Sequence, residues 1–115
     1  GQWVYANESG ALVGGWIRDG GSWYYLDPAT KVMATGWVAD GGSWYYLNAS
    51  GAMATGWVND GGSWYYLNAF GQMATGWLNV GGSWYYLSPS GAMLTGTQVI
   101  NGRTYVFDAN GIWVG

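Results

Sequence analysis

Short apolar runs of strand-forming residues are separated by glycine throughout the chain. Gly36–Asp40 and Ser43–Leu47 are typical, and the pair Gly41-Gly42 separates them. Both runs are rich in aromatic and β-branched residues, which favours strands, and Gly-Gly suits a two-residue turn with positive φ. No run has a period of 3.6 residues, so no helix is predicted. The pattern predicts a β-hairpin.

A two-residue turn also predicts the register of this hairpin. The expected cross-strand pairs are Ala39 with Trp44, Val38 with Tyr45, and Trp37 with Tyr46. Opposed residues share a face, so aromatic rings lie on both faces. A lone hairpin cannot bury either face, whereas hairpins stacked on one another can bury both.

The hairpin pattern recurs along the chain. The segment GSWYYL begins at Gly21, Gly42, Gly62 and Gly82, and the last three copies are 20 residues apart. Such a period predicts a solenoid rather than one compact core. We divide the single repeat domain, 1–115, into a partial repeat 1–14, repeats 15–35, 36–55, 56–75 and 76–95, and a degenerate terminal repeat 96–115.

Turn residues complete each repeat. A second turn follows each hairpin, and its glycine is expected to be left-handed; these are Gly51, Gly71, Gly91 and Gly111. Asp19, Asp40 and Asp60 precede the hairpin turns and are expected to bond the turn backbone. In the terminal repeat Thr97 and Thr104 stand at the two Trp positions, and Trp113 replaces Met.

Composition narrows the function. Charged residues are 8% of the chain, the net charge is −3, and Arg18, Lys31 and Arg103 are its cations, so no basic stripe exists for nucleic acid. No stretch reaches 18 apolar residues, which predicts no membrane insertion. The chain has no His and no Cys, and its six acids fall in predicted turns. We therefore predict no enzyme, catalytic residue, metal or cofactor.

Aromatic residues make up 19% of the chain, and both Trp positions stay Trp through four repeats. Space alone could be filled by Leu, Ile or Val. Ring faces instead suit a quaternary ammonium group, which has no N–H to donate and is attracted by the ring quadrupole. Several weak sites on one chain, facing a polymer that repeats the ligand, would give strong attachment.

The motif from Gly56 to Trp77, Gly-Trp-x5-Ser-Trp-Tyr-Tyr-Leu-x3-Gly-x-Met-x-Thr-Gly-Trp, resembles the choline-binding repeats of pneumococcal-type surface proteins, cell-wall lysins and phage endolysins. The resemblance implies an all-β, left-handed β-solenoid of tandem hairpins, about three per turn. It also implies a secreted protein at the bacterial cell surface or cell wall. There it would bind choline or phosphocholine on teichoic and lipoteichoic acid, with a homodimer as a further expectation on ligand binding.

In that family a site combines both Trp of one hairpin with a Tyr of the next. Carried over, the choline-binding residues are Trp16, Trp23 and Tyr45; Trp37, Trp44 and Tyr65; Trp57, Trp64 and Tyr85; and Trp77, Trp84 and Tyr105. The alternative third walls are Tyr46, Tyr66 and Tyr86. Met53, Met73 and Met93 either close the pockets or fill gaps in the core. The last site is expected to be the weakest, Trp3 with Tyr24 to form a partial site, and Phe70 to be a surface ring.

Two alternatives stay open. The rings could stack on sugars of a glucan or wall glycan, although the repeats offer few polar partners beyond Asn and Ser. They could also serve only a structural spacer or self-association stalk.

Overall fold

A computed structural model describes residues 3–115, which form ten β-strands and no helix. The strands are β1 (Gly15–Asp19), β2 (Ser22–Leu26), β3 (Gly36–Asp40), β4 (Ser43–Leu47), β5 (Gly56–Asp60), β6 (Ser63–Leu67), β7 (Gly76–Val80), β8 (Ser83–Leu87), β9 (Gly96–Ile100) and β10 (Arg103–Phe107). Consecutive strands pair antiparallel as hairpins 1 to 5, and each hairpin is its own two-stranded sheet. The predicted all-β class and the tandem hairpins are confirmed.

The hairpins belong to two compact units. Hairpins 1 and 2 lie in the first, which comprises the described residues up to Thr55 and Ala69–Gln72. Hairpins 3, 4 and 5 lie in the second, Gly56–Asn68 with Met73–Gly115. The handedness of the solenoid, the number of hairpins per turn and the repeat boundaries stay predictions.

The hairpin turns explain the register. Gly41 and Gly42 have φ of 59° and 85°, as a type I′ turn requires, and the twist of this turn matches that of the strands. The predicted pairs follow: Ala39 with Trp44, Val38 with Tyr45, and Trp37 with Tyr46. In hairpin 5 the turn is Asn101-Gly102, again with positive φ at both residues.

Apart from Ile100 at the end of β9, the buried core residues each end the second strand of a hairpin. Leu26, Leu47, Leu67, Leu87 and Phe107 are at most 2% exposed. Each forms a bridge to the residue at the Met position of the connector that follows, as Leu47 does with Met53. The connector thus adds a short third segment to every hairpin.

Methionines of the connectors pack against glycines of the next connector. A Cβ at Gly71 would overlap the Met53 thioether, and one at Gly91 would overlap that of Met73. These glycines also have the predicted positive φ, 84° and 91°. Any side chain here would meet both an unfavourable backbone conformation and a filled space.

The connector of hairpin 1 contains the extra residue that lengthens its repeat. Lys31 has φ of 63° and takes the left-handed place that glycine holds in the other connectors. Asp27 caps this turn, since its Oδ1 accepts the backbone N–H groups of Ala29 at 2.8 Å and Thr30 at 3.0 Å. These bonds lower the pKa of Asp27, and the charge of Lys31 adds a smaller effect.

Candidate functional site

The first Trp of a hairpin is held between two tyrosines. Trp16 on β1 lies edge to face with its cross-strand partner Tyr25, at a centroid distance of 5.0 Å. On its other side Tyr45 of hairpin 2 lies 4.9 Å away at 66°. Trp16 is half-buried by these contacts, whereas Trp23 on β2 is 41% exposed. One fixed and one accessible indole therefore flank the space beside Tyr45.

This space is a cavity of about 380 Å³, which we call the Trp16 cage after its rings Trp16, Trp23 and Tyr45. Its remaining walls are Met53 and the pair Ala69-Phe70, which comes from much later in the chain. Met53 also donates its backbone N–H to the carbonyl oxygen of Trp23 at 2.7 Å, which fixes hairpin 2 beside hairpin 1.

The second unit repeats this arrangement. Trp57, Trp64 and Tyr85, the Trp57 cage, line a cavity of about 290 Å³ together with Met93 and the pair Ala109-Asn110. The Trp57 ring lies 4.9 Å from Tyr85 and 5.0 Å from Tyr66 of its own hairpin. The Met93 N–H donates to the Trp64 carbonyl oxygen at 2.8 Å.

A further cavity of about 380 Å³ involves hairpins 4 and 5. It is lined by Trp77, Trp84, Tyr105 and Trp113, and its first three rings are the Trp77 cage. Trp77 lies 4.9 Å from Tyr105 and 6.3 Å from Trp84. Trp77 is 38% exposed, more than the half-buried Trp16 and Trp57.

The structure places the two tyrosines of each hairpin differently. Tyr45, Tyr85 and Tyr105 each contact the first Trp of the preceding hairpin at 4.9 Å. Tyr46, Tyr66 and Tyr86, the alternative third walls, each contact the Trp of their own hairpin at 4.9 to 5.1 Å. Trp37 and Trp44 lie on β3 and β4, and Tyr65 lies on β6; their common site stays a prediction.

The structure describes the surroundings of the three methionines, and their closing of the choline pockets stays a prediction. Met53 and Met93 line cavities and also pack against the glycines of the next connectors, Gly71 and Gly111. For Met73 the structure shows the packing against Gly91. Trp3 shares a cavity of about 200 Å³ with Tyr24 and Met33, and the partial site of Trp3 with Tyr24 stays a prediction.

A carboxylate lies beside the Trp16 cage. The sequence predicts that Asp40 bonds its own turn; in the structure its Oδ2 accepts the indole N–H of Trp16 at 3.1 Å. Burial raises the pKa of Tyr25, and the charges of Asp40 and Asp27 raise it further. In hairpin 4 the corresponding residue is Val80, which offers no acceptor to Trp57. The Trp16 and Trp57 cages thus consist of the same residue types, two Trp and one Tyr, but only the Trp16 ring is bonded to a carboxylate at this position.

Two further findings concern residues 3–115, the part of the chain that the structure describes. No group of three or more His, Cys, Asp or Glu side chains there could hold a metal ion. The same residues contain no helix that is long and apolar enough to cross a bilayer.

Comparison with known proteins gives the family. A model of the choline-binding repeat matches residues 54–95, and a model of a cell wall binding repeat matches 14–28 and 35–53. The choline-binding domain of Spr1274 from Streptococcus pneumoniae is 47% identical over 71% of this chain and 96% of that domain, with a TM-score of 0.63. The chain belongs to the choline-binding repeat family. No curated protein matches it.

Two larger solved structures are also similar to these choline-binding repeats. Choline-binding protein F from Streptococcus pneumoniae is 41% identical over 98% of this chain, with a TM-score of 0.93. The pneumococcal cell wall endolysin from phage Cp-1, solved in complex with choline, is 31% identical over 98%, with a TM-score of 0.62. The chain spans 38% and 37% of these two proteins.

Three features of these choline-binding repeats were missed or undervalued from the sequence. The pair Ala69-Phe70 walls the Trp16 cage, Asp40 bonds the ring of Trp16, and Trp113 joins the last cavity. Phe70 is the predicted surface ring, 77% exposed, but the sequence does not predict that it lines the Trp16 cage. For Trp113 a signal existed, namely an aromatic residue at a position where the other repeats have Met.

Proposed function

We propose that this chain is the choline-binding module of a bacterial cell-surface protein, and that it anchors its carrier to choline on wall teichoic and lipoteichoic acids. The observation that carries this proposal is the cage itself, in which two indoles and a phenol line one cavity. A trimethylammonium group is attracted by ring faces and requires no hydrogen-bond acceptor.

The strength of one cage supports weak, reversible binding. A ring contributes about 0.5 to 2 kcal/mol to binding a cation, so three rings supply on the order of 3 to 5 kcal/mol, a millimolar dissociation constant. The Trp16, Trp57 and Trp77 cages are three sites on one polypeptide chain, and teichoic acid is a polymer that carries many choline groups. Effective concentration then converts millimolar contacts into firm attachment.

Substitution of the accessible indoles tests the proposal with the smallest expected effect on the fold. Trp23, Trp64 and Trp84 are 41%, 44% and 43% exposed, so the triple variant W23A/W64A/W84A should remove one wall of each cage and leave the buried leucines in place. We expect the parent chain to sediment with choline-substituted teichoic acid and to be released by free choline. The triple variant keeps only the predicted site of Trp37, Trp44 and Tyr65, so far less of it should sediment than of the parent chain.

A polymer that carries ethanolamine in place of choline is the matched control, because its primary ammonium differs by three methyl groups. Equal binding to both polymers would contradict the proposal. Retention on a choline-free glucan would favour the carbohydrate alternative. Sedimentation velocity of the chain with and without choline tests the predicted homodimer.

A further inference from the structure

Trp113 occupies the backbone position that Met holds in the preceding connectors. Its N–H donates to the Trp84 carbonyl oxygen at 2.8 Å, as the N–H of Met93 does to Trp64 at the same distance. Both residues also form an antiparallel bridge to the last residue of their hairpin. The backbone arrangement is therefore the same, and the side chain is what differs.

The indole of Trp113 is one of four rings around a single cavity. Its centroid lies 6.2 Å from that of Trp77 and 6.1 Å from that of Tyr105, with interplanar angles of 70° and 67°. Trp84 stands at 81° to Trp77, 6.3 Å away. Rings set nearly perpendicular to one another enclose the space between them instead of stacking and filling it.

Core packing does not explain a tryptophan at this place. The buried residues of hairpin 5 are Ile100 and Phe107, whereas Trp113 is 43% exposed. A large apolar side chain that is open to solvent beside three other rings is typical of a binding surface.

We propose that Trp113 is a fourth aromatic wall of the Trp77 cage and determines the affinity and selectivity of this cage for quaternary ammonium groups. This inference rests on the proposed function. Tryptophan attracts cations better than the other aromatic residues, whereas a thioether offers no ring face. A primary ammonium that enters a cage of three indoles and one phenol loses hydrogen bonds to water and gains none from the rings. The fourth ring should therefore increase the preference of the cage for a quaternary ligand.

The test uses the 115-residue chain labelled with ¹⁵N, with the indole N–H signals of Trp77 and Trp84 followed during titration with choline chloride. In W113M, which installs the residue of the other repeats, we expect the dissociation constant of the Trp77 cage to rise about two- to fivefold. W113F keeps a ring face and should recover part of this loss. The preference for choline over ethanolamine should be largest in the parent, smaller in W113F and smallest in W113M.

The Trp16 and Trp57 cages are internal controls. If their signals titrate while the constant and the selectivity of the Trp77 cage are the same in W113M as in the parent, the inference is overturned and the proposed function stands. If no indole signal of any cage responds to choline, the proposed function fails and the inference fails with it. A thermal melt of each variant shows that the fold is retained.

Discussion

The indole N–H of Trp16 donates to Oδ2 of Asp40 at 3.1 Å, across two consecutive hairpins. The bond orients the half-buried ring of the Trp16 cage and places a carboxylate next to a site proposed for a cation. Val80 stands at the corresponding position of hairpin 4, so the Trp57 cage has no such carboxylate. Two cages with the same three aromatic residues are therefore electrostatically distinct.

Replacing Asp40 should separate its two effects. D40N keeps an acceptor oxygen and loses the charge, so it should weaken choline binding in the Trp16 cage mainly at low salt. D40V should also lose the indole bond, with a fall in unfolding free energy of about 0.5 to 1.5 kcal/mol. Site-resolved titration and denaturant unfolding check both effects. Unchanged affinity in both variants would show that the carboxylate does not contribute to binding.

The exposed ring of Phe70 should strengthen the cage that it lines. Phe70 is 77% exposed, and Ser50 and Ser90 stand at its position in two other connectors. We expect F70S to weaken choline binding in the Trp16 cage about two- to fivefold, since one ring face is lost. Stability should change by less than about 0.5 kcal/mol.

The reciprocal variant N110F provides the control for Phe70. Asn110 lines the Trp57 cage with Ala109, as Phe70 lines the Trp16 cage with Ala69. N110F should tighten choline binding in the Trp57 cage and leave the Trp16 cage unchanged. Indole-resolved titration would refute the role of Phe70 if F70S affected both cages equally.

Gly91 should be among the residues least tolerant of substitution. It has φ of 91°, and a Cβ there would overlap the thioether of Met73. Left-handed strain costs about 1 to 2 kcal/mol, and displacing the flexible Met73 thioether adds a smaller cost, so G91A should lose more stability than the strain alone. Gly82 has φ of 86° and open space around it, so G82A should show the strain alone. Equal losses in urea unfolding would contradict the packing of Met73.

The capped turn of hairpin 1 should contribute a pH-dependent part of the stability. The pKa of Asp27 is lowered from its ordinary value of 3.8 in the folded chain. Its contribution is therefore fully present above that value and is lost as the pH falls through the lower folded-state pKa. D27N keeps an acceptor and does not titrate. Between about pH 5 and pH 2, the melting temperature of the parent should fall more than that of D27N, and parallel curves would contradict this.

Local chemistry made much of the fold predictable. The pair Gly41-Gly42 specifies its turn, the turn specifies the register, and the register places Tyr45 on the opposite face from Trp44. These steps involve residues that are close in sequence. The aromatic set of each cage came instead from the resemblance to choline-binding repeats, in which a site combines both Trp of one hairpin with a Tyr of the next.

The remaining walls depend on how connectors pack, which a repeat pattern does not encode. Phe70 reaches the Trp16 cage from far along the chain, and Asp40 satisfies an indole where a turn bond was expected. The residue at each of these two positions varies among the repeats, so the repeat pattern does not predict their contacts with the cage. The variation is what makes the cages unequal.

Titration with choline chloride, followed by intrinsic Trp fluorescence and by thermal melting, tests the central claim most directly. Sodium chloride at matched ionic strength is the control. Binding to the cages predicts a saturable fluorescence change at millimolar choline and a melting temperature that rises with choline concentration, because the ligand binds the folded chain. The same response to sodium chloride, or none to either salt, would contradict the assignment of the cages to choline.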